Sequence, residues 1–192
     1  MKNANVPSHN DPTACRTWMT ARHCSQCGSR MVLSMIDLRQ REQCPACGFI
    51  AWRNPAPVAM AMIEHEQQLV LIRRRDPPLA GYWAPPAGYV ETGESVPEAV
   101  IREAREECGL EIMLDSLTDV YSRADIEVLI VAYRTRSIGG HLIAGDDASE
   151  VGLFARGQLP AQPAPVDGTA MDCWLHEVIL DVTAPWQRID NQ

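Results

Sequence analysis

GYVETGESVPEAVIREAREECGL, residues 88–110, places Glu94, Glu103, Glu106 and Glu107 beside a Gly-containing loop and an Arg-bearing helix. Glu103, Glu106 and Glu107 stand at i, i+3 and i+4, which puts them on one helical face. Stacked carboxylates there repel one another by a few tenths of a kcal/mol per pair. They also occupy the C-terminal half of the helix, where the macrodipole disfavours negative charge. A sequence that breaks local rules in this way does so for function. A hard divalent cation such as Mg²⁺ turns the repulsion into binding.

The helix is well signposted. Ser95 followed by Glu98 reads as a capping box, with Pro97 in the first turn, and Gly109 is a stop signal. Ala99, Val100, Ala104 and Cys108 supply its apolar positions. Arg102 lies four residues after Glu98 and four before Glu106, within reach of either. Taken alone, the acidic run also fits a solvated helix face held by i,i+4 pairs.

The spacing of the whole segment resembles the Nudix box. Gly88 is followed by five residues and Glu94, then by seven residues and Arg102-Glu103-Ala104-Arg105-Glu106-Glu107-Cys108-Gly109-Leu110. The resemblance implies a metal-dependent hydrolase of a nucleoside diphosphate linked to another moiety, on an α/β/α sandwich. It implies Glu103, Glu106 and Glu107 as Mg²⁺ or Mn²⁺ ligands, joined by the Ala87 carbonyl. Glu94 and Arg102 then orient these groups. The chain has Pro86-Ala87-Gly88 where the family often has Pro-Gly-Gly, a variant found in hydrolases of ADP-sugars or flavin dinucleotide. Pyrophosphate repels an incoming nucleophile, so such a site needs cations on the phosphates and one acid to take the water's proton. Glu150, in GDDASEVGLF (145–154), is a candidate for that last role, on an acidic loop running into a late strand. Glu106 and Glu107 are alternatives.

A second signal lies upstream. Cys24-x-x-Cys27 and Cys44-x-x-Cys47 are separated by 16 residues, the spacing of a four-Cys zinc site. Gly28 and Gly48 follow the pairs and allow the tight turns that aim backbone N–H groups at sulfur. Disulfides and an iron site are the competing readings. Residues 1–20 are polar and lack the apolar core of a signal peptide, so the expected compartment is the cytoplasm. Cys15, Cys108 and Cys173 show no paired pattern.

With 192 residues, the chain holds a mid-sized domain and a small module. No apolar run approaches the length of a membrane span. The net charge is −8, with +4 in residues 1–57, which hold seven Lys or Arg and three acids, so the remainder carries −12. That balance argues against general nucleic-acid binding.

The expected organisation is a disordered tail over 1–20, a zinc ribbon over 21–53 and the hydrolase domain over 54–192. Within the last, Val58–Glu64 and Leu69–Arg74 read as a hairpin around His65–Gln68. Leu114–Ser122 and Ile126–Arg136 read as strands, with Gly139-Gly140 breaking the pattern. Val151–Ala155 reads as a short strand, 157–168 as a loop and Thr169–Leu180 as a closing helix.

Two ribbon-bearing groups of the family bear on substrate. The NADH pyrophosphatases carry an SQPWPFP-type motif after the box, and residues 111–135 contain nothing like it. The enzymes related to plant FAD and ADP-ribose pyrophosphatases are closely similar over about residues 22–160. They share CxxCG, CPxCG, the Trp52-Arg53-Asn54-Pro55 link and the approach Trp83-Ala84-Pro85-Pro86-Ala87-Gly88-Tyr89. The resemblance therefore implies an ADP-linked dinucleotide such as FAD or ADP-ribose, cleaved to AMP and X-phosphate. NADH, an RNA 5′ end and a nucleotide sensor with a binding ribbon are the other readings. Family analogy adds a homodimer. Trp83 and Tyr89 are candidates to stack on a base. Of Arg73–Arg75, Arg74 is the candidate phosphate contact. The plainer readings are core packing and a solvated charge run.

Overall fold

A computed structural model describes residues 22–163 and 168–187, so the expected tail over 1–20 and part of the 157–168 loop lie outside the described residues. Contacts divide the chain into two compact units, Met1–Asn54 and Pro55–Gln192. No described helix is long and apolar enough to cross a membrane.

In the first unit, β1 (Val32–Ile36), β2 (Arg39–Gln43) and β3 (Ile50–Ala51) form an antiparallel sheet in that order. Ile36 pairs with Arg39, which leaves Asp37 and Leu38 as a two-residue turn with positive φ at both. Such turns match strand twist but normally use Gly or Asn. The core here is small: Cys24, Met31 and Cys44 are buried, with Phe49 and Ala51 packed on them.

The second unit is built around β4 (Ala56–His65) and β5 (Gln68–Arg74), a hairpin turning at Glu66-Gln67 as the sequence predicts. The remaining elements are β6 (Trp83–Ala84), β7 (Ala87–Tyr89), α1 (Val96–Cys108), β8 (Leu110–Ser122), β9 (Val128–Gly140), β10 (Ala148–Phe154) and α2 (Ala170–Gln187). The sheet runs β10-β5-β4-β9-β8, with β6 on β5 and β7 on β4. β4 and β9 are parallel, and the other pairs are antiparallel.

Period-two alternation along the central strands makes this a three-layer structure. Ala59, Ala61 and Ile63, with Val70 and Ile72, pack against Ala99, Val100, Ala104 and Cys108 of α1. Met60 and Met62, with Leu69 and Leu71, pack against Trp174, Val178, Val182 and Trp186 of α2. Small residues on α1 let that helix lie close to the sheet, which fixes the height of its glutamates above β7.

Two sequence expectations shift. α2 continues to Gln187 rather than ending at Leu180, because Val182, Thr183 and Trp186 prolong the buried stripe of Val178 and Ile179. Pro185 falls in its last turn. Gly139 and Gly140 do not break the pattern; they are the end of β9, paired with Glu111 and Leu110.

Candidate active site

α1 starts and stops where its sequence directs. The Ser95 N–H donates to Glu98 Oε2 at 2.7 Å, while the Glu98 N–H donates to Ser95 Oγ at 3.4 Å. Gly109 closes the helix in the left-handed region at φ 72°, its N–H on the Arg105 carbonyl. Between these caps, Glu103 and Glu107 lie one turn apart and are both buried. Glu106 is exposed, so the three glutamates do not share one environment.

Arg102 organises the outer half of the site. Its Nε and NH2 donate to both oxygens of Glu94 at 3.1 and 2.7 Å. NH1 reaches Glu103 at 2.6 Å and Glu106 at 2.9 Å, and NH2 also reaches the Tyr89 carbonyl at 2.9 Å. The Arg102 hydrogen bonds hold Glu94 below the usual carboxylate range and push Arg102 up. Glu103 is raised by burial in spite of Arg102.

The inner half is formed by backbone. The Ala87 N–H donates to Glu107 Oε2 at 2.8 Å. Gly88 lies against Glu103, and a Cβ there would overlap the carboxylate. The sequence expectation for Ala87 concerned its carbonyl; the structure shows its N–H orienting Glu107. Burial pushes Glu107 from 4.5 to about 7, although the Ala87 N–H opposes the shift.

Other sequence candidates divide. Arg75 is exposed, as a solvated run would be, and Arg73 and Arg74 are half-buried, but each of the three is also tied to backbone. Arg73 Nε donates to the Gly81 carbonyl, Arg74 Nε to Pro78 and Arg75 NH2 to Ala148. Arg74 feels the charges of Glu107, Asp147 and Asp76, while burial lowers its pKa. Its terminal nitrogens make no hydrogen bond to any described residue. Glu150 is on β10 rather than a loop, opposite Arg73 and ion-paired with it at 2.7 Å. Trp83 is half-buried, edge-on to Phe154 at 5.0 Å, with its backbone N–H and carbonyl on the Gln162 amide. Tyr89 is 60% exposed beside the box.

One residue escaped the sequence reading. Asp147, exposed in the turn before β10, carries a charge that raises Glu103 and Glu107 after the larger effect of burial. Its signal was the acidic pair Asp146-Asp147, three residues before the Glu150 that attracted attention. Glu94, Glu103, Glu106 and Glu107 crowd α1 and its approach, and Arg102 bonds three of them. This hard-oxygen excess of negative charge fits a divalent cation.

The four N-terminal thiols fit a different metal. All four Sγ atoms lie within 4.8 Å of one another, with Cys24–Cys47 at 3.6 Å and Cys27–Cys44 at 3.4 Å. Tetrahedral Zn–S bonds of ~2.3 Å separate sulfurs by about 3.8 Å. The Gln26 N–H approaches Cys24 Sγ at 3.4 Å, and hydrogen bonds from Ser29 hold Cys27 down to about 6.

Two outcomes are expected. Cys44→Ser should abolish stoichiometric zinc on elemental analysis and raise amide exchange throughout residues 22–54. Full zinc retention would remove Cys44 from the site. Glu107 has a raised pKa, so its stabilising contribution is complete below about pH 4.5 and is lost as pH rises through about 7. Without added divalent cation, the parent should therefore lose on the order of 3 kcal/mol relative to Glu107→Gln across that window. Parallel urea-unfolding profiles of the two proteins against pH would contradict this.

Comparison with known proteins agrees with the geometry. The NUDIX domain model matches residues 53–174, and the Nudix N-terminal zinc-ribbon model matches residues 22–52. An ADP-ribose pyrophosphatase of Methanocaldococcus jannaschii is 41% identical over 69% of this chain and 76% of its own length. An NAD-capped RNA hydrolase NudC of Stutzerimonas stutzeri is 31% identical over 77% of this chain, which spans about half of that relative (53%). A NUDIX hydrolase structure from Nitrosomonas europaea superposes with a TM-score of 0.69 at 30% identity, over 72% of this chain and 80% of that one. The box, its α/β/α frame and the ribbon preceding it carry one conclusion: the chain belongs to the Nudix hydrolase family.

Proposed function

We propose that residues 54–192 are the hydrolase domain and cleave the pyrophosphate of an ADP-linked dinucleotide, FAD or ADP-ribose, to AMP and X-phosphate. The observation that carries this reading is the buried pair Glu103 and Glu107 on α1, with the guanidinium of Arg74, held to the Pro78 carbonyl through Nε, coupled electrostatically to Glu107. Carboxylates in excess need a cation, and a fork next to them suits a phosphate oxygen. The relative named ADP-ribose pyrophosphatase, at 41% identity, supports the choice of leaving group.

In this reading Glu103, Glu106 and Glu107, with the Ala87 carbonyl, hold Mg²⁺ or Mn²⁺, and zinc in the ribbon is structural. The bound cation neutralises phosphate oxygens and acidifies water. Arg102 keeps Glu94, Glu103 and Glu106 at fixed spacing, so little reorganisation is needed when substrate arrives. Arg74 contacts the bridging diphosphate. Tyr89, exposed beside the box, is the better stacking platform; Trp83 is committed to Phe154 and Gln162 and acts on the base, if at all, through one ring edge.

Two carboxylates remain for proton transfer. Glu150 is engaged by Arg73, so it must give up that ion pair to act. Asp147 lies in the turn that begins at Gly145, whose N–H bonds the Glu107 carbonyl, and we assign it the role of proton acceptor. A second reading, a dinucleotide-capped RNA 5′ end, is favoured by the NudC relatives. A cytoplasmic homodimer completes the proposal by family analogy.

The zinc-loaded protein with Mn²⁺ should hydrolyse FAD or ADP-ribose, with AMP as one product, faster than NADH, dNTPs or NAD-capped RNA, each followed by loss of the intact substrate. Preference for capped RNA would replace this substrate assignment with the second reading, and no turnover would reject both. Asp147→Asn should lower kcat by two orders of magnitude or more, the scale of general base catalysis, roughly 10²–10⁴-fold. Glu150→Gln should lower it by less than tenfold. The reverse ranking would restore Glu150 as the base.

A further inference from the structure

The C-terminal turn of α1 is held by backbone from the segment between β9 and β10. The His141 N–H donates to the Gly109 carbonyl at 3.2 Å, Ile143 to Cys108 at 3.1 Å and Gly145 to Glu107 at 3.0 Å. Alternate residues of the segment thus step along successive carbonyls that a helix end leaves without partners. The approach is unusually close. A Cβ at Gly145 would overlap the Glu106 carbonyl oxygen, and one at Gly140 would overlap the Gly109 carbonyl oxygen. Gly145 does not have positive φ, so contact alone requires glycine there.

Gly145 also begins a turn. The Ala148 N–H donates back to the Gly145 carbonyl at 3.2 Å, which places Asp147 third in the four-residue turn. The Arg75 N–H fixes the far side by donating to the Asp147 carbonyl at 3.0 Å, and Ala148 is buried. The position of Asp147 is therefore measured from the same helical turn that carries Glu106 and Glu107.

We propose that Gly145 is a positioning residue for the hydrolytic site: its backbone contact on the last turn of α1 sets where the Asp147 carboxylate stands relative to Glu103 and Glu107. This rests on the metal-dependent reading above. A side chain at 145 lifts the segment from the helix, and Asp147 moves with it. The effect of Gly145 on the site is thus exerted through Asp147.

The test is a double-mutant cycle on the full-length, zinc-loaded chain. Gly145→Ala, Asp147→Ala and the double variant are compared for Mn²⁺ dissociation constant by electron paramagnetic resonance, for kcat and KM, and for Tm. Gly139→Ala is the control, because its Cβ would meet the Glu111 side chain, with the tight approach confined to the mobile carboxylate oxygen. Each single change should weaken Mn²⁺ binding on the order of tenfold, the scale for supporting residues of metal sites. The double variant should be no worse than either. KM should change little beside kcat. Insertion of one glycine between Asp146 and Asp147 leaves Gly145 on the helix and should reproduce the loss at parental Tm.

Multiplicative effects, or a lowered Tm with parental Mn²⁺ affinity and kcat, would overturn the inference. If Gly145→Ala does not fold, the insertion decides, and parental affinity in it is a negative result. A parent that binds no Mn²⁺ would instead bring down the functional reading on which the inference stands.

Discussion

Carboxylate repulsion along one face of α1 is the constraint around which this site is arranged. On a solvated helix it would be a few tenths of a kcal/mol per pair. Glu103 and Glu107 are buried, and two unit charges ~6 Å apart at an effective dielectric of ~20 repel by about 3 kcal/mol. Surface ion pairing does not offset a term of that size. The compensation is Arg102, which spreads five hydrogen bonds over Glu94, Glu103, Glu106 and the Tyr89 carbonyl. Glu107 lies beyond its reach and depends on one backbone N–H. Burial, more than repulsion from Glu103, raises its carboxyl to about 7.

The geometry that exploits this repulsion is set by backbone rather than by long side chains. Gly88 lets Glu103 rest against β7, and Gly145 lets the β9–β10 connection lie on the helix end. Contacts between main-chain atoms have few soft degrees of freedom, so they hold distances better than hydrogen bonds between flexible termini do. Buried Ala99 and Ala104 serve the same end by letting α1 approach the sheet. Misplacement by about 1 Å can cost two orders of magnitude in rate, and a site assembled from small residues at close quarters suits that demand.

Features governed by local rules were legible in the sequence. Ser95, Glu98 and Gly109 delimit α1 because capping is decided within four residues. The cysteine pairs read as a metal site because thiol spacing and the turns around it are equally local. Legibility failed where partners come from distant segments. Arg73, Arg74 and Arg75 look alike in sequence, yet strand alternation and three different carbonyls give them separate fates. Glu150 attracted attention as a loop acid, but a register shift between Ala148 and Glu150 places it in β10 against Arg73 and leaves Asp147 in the turn. The reach of α2 past Leu180 depended on how far the sheet extends beneath it.

The two donor sets also differ in what they demand of a metal. Among its described residues the ribbon buries Cys24, Met31 and Cys44 in its core, little apolar surface for a chain of that size, so a metal on the four thiolates would supply folding energy there. The unit from Pro55 onward has apolar clusters on both sheet faces. Soft thiolates in a closed tetrahedron select zinc, whereas hard carboxylate oxygens suit ions that keep water ligands. Donor softness, not affinity alone, would keep two different ions apart on one chain.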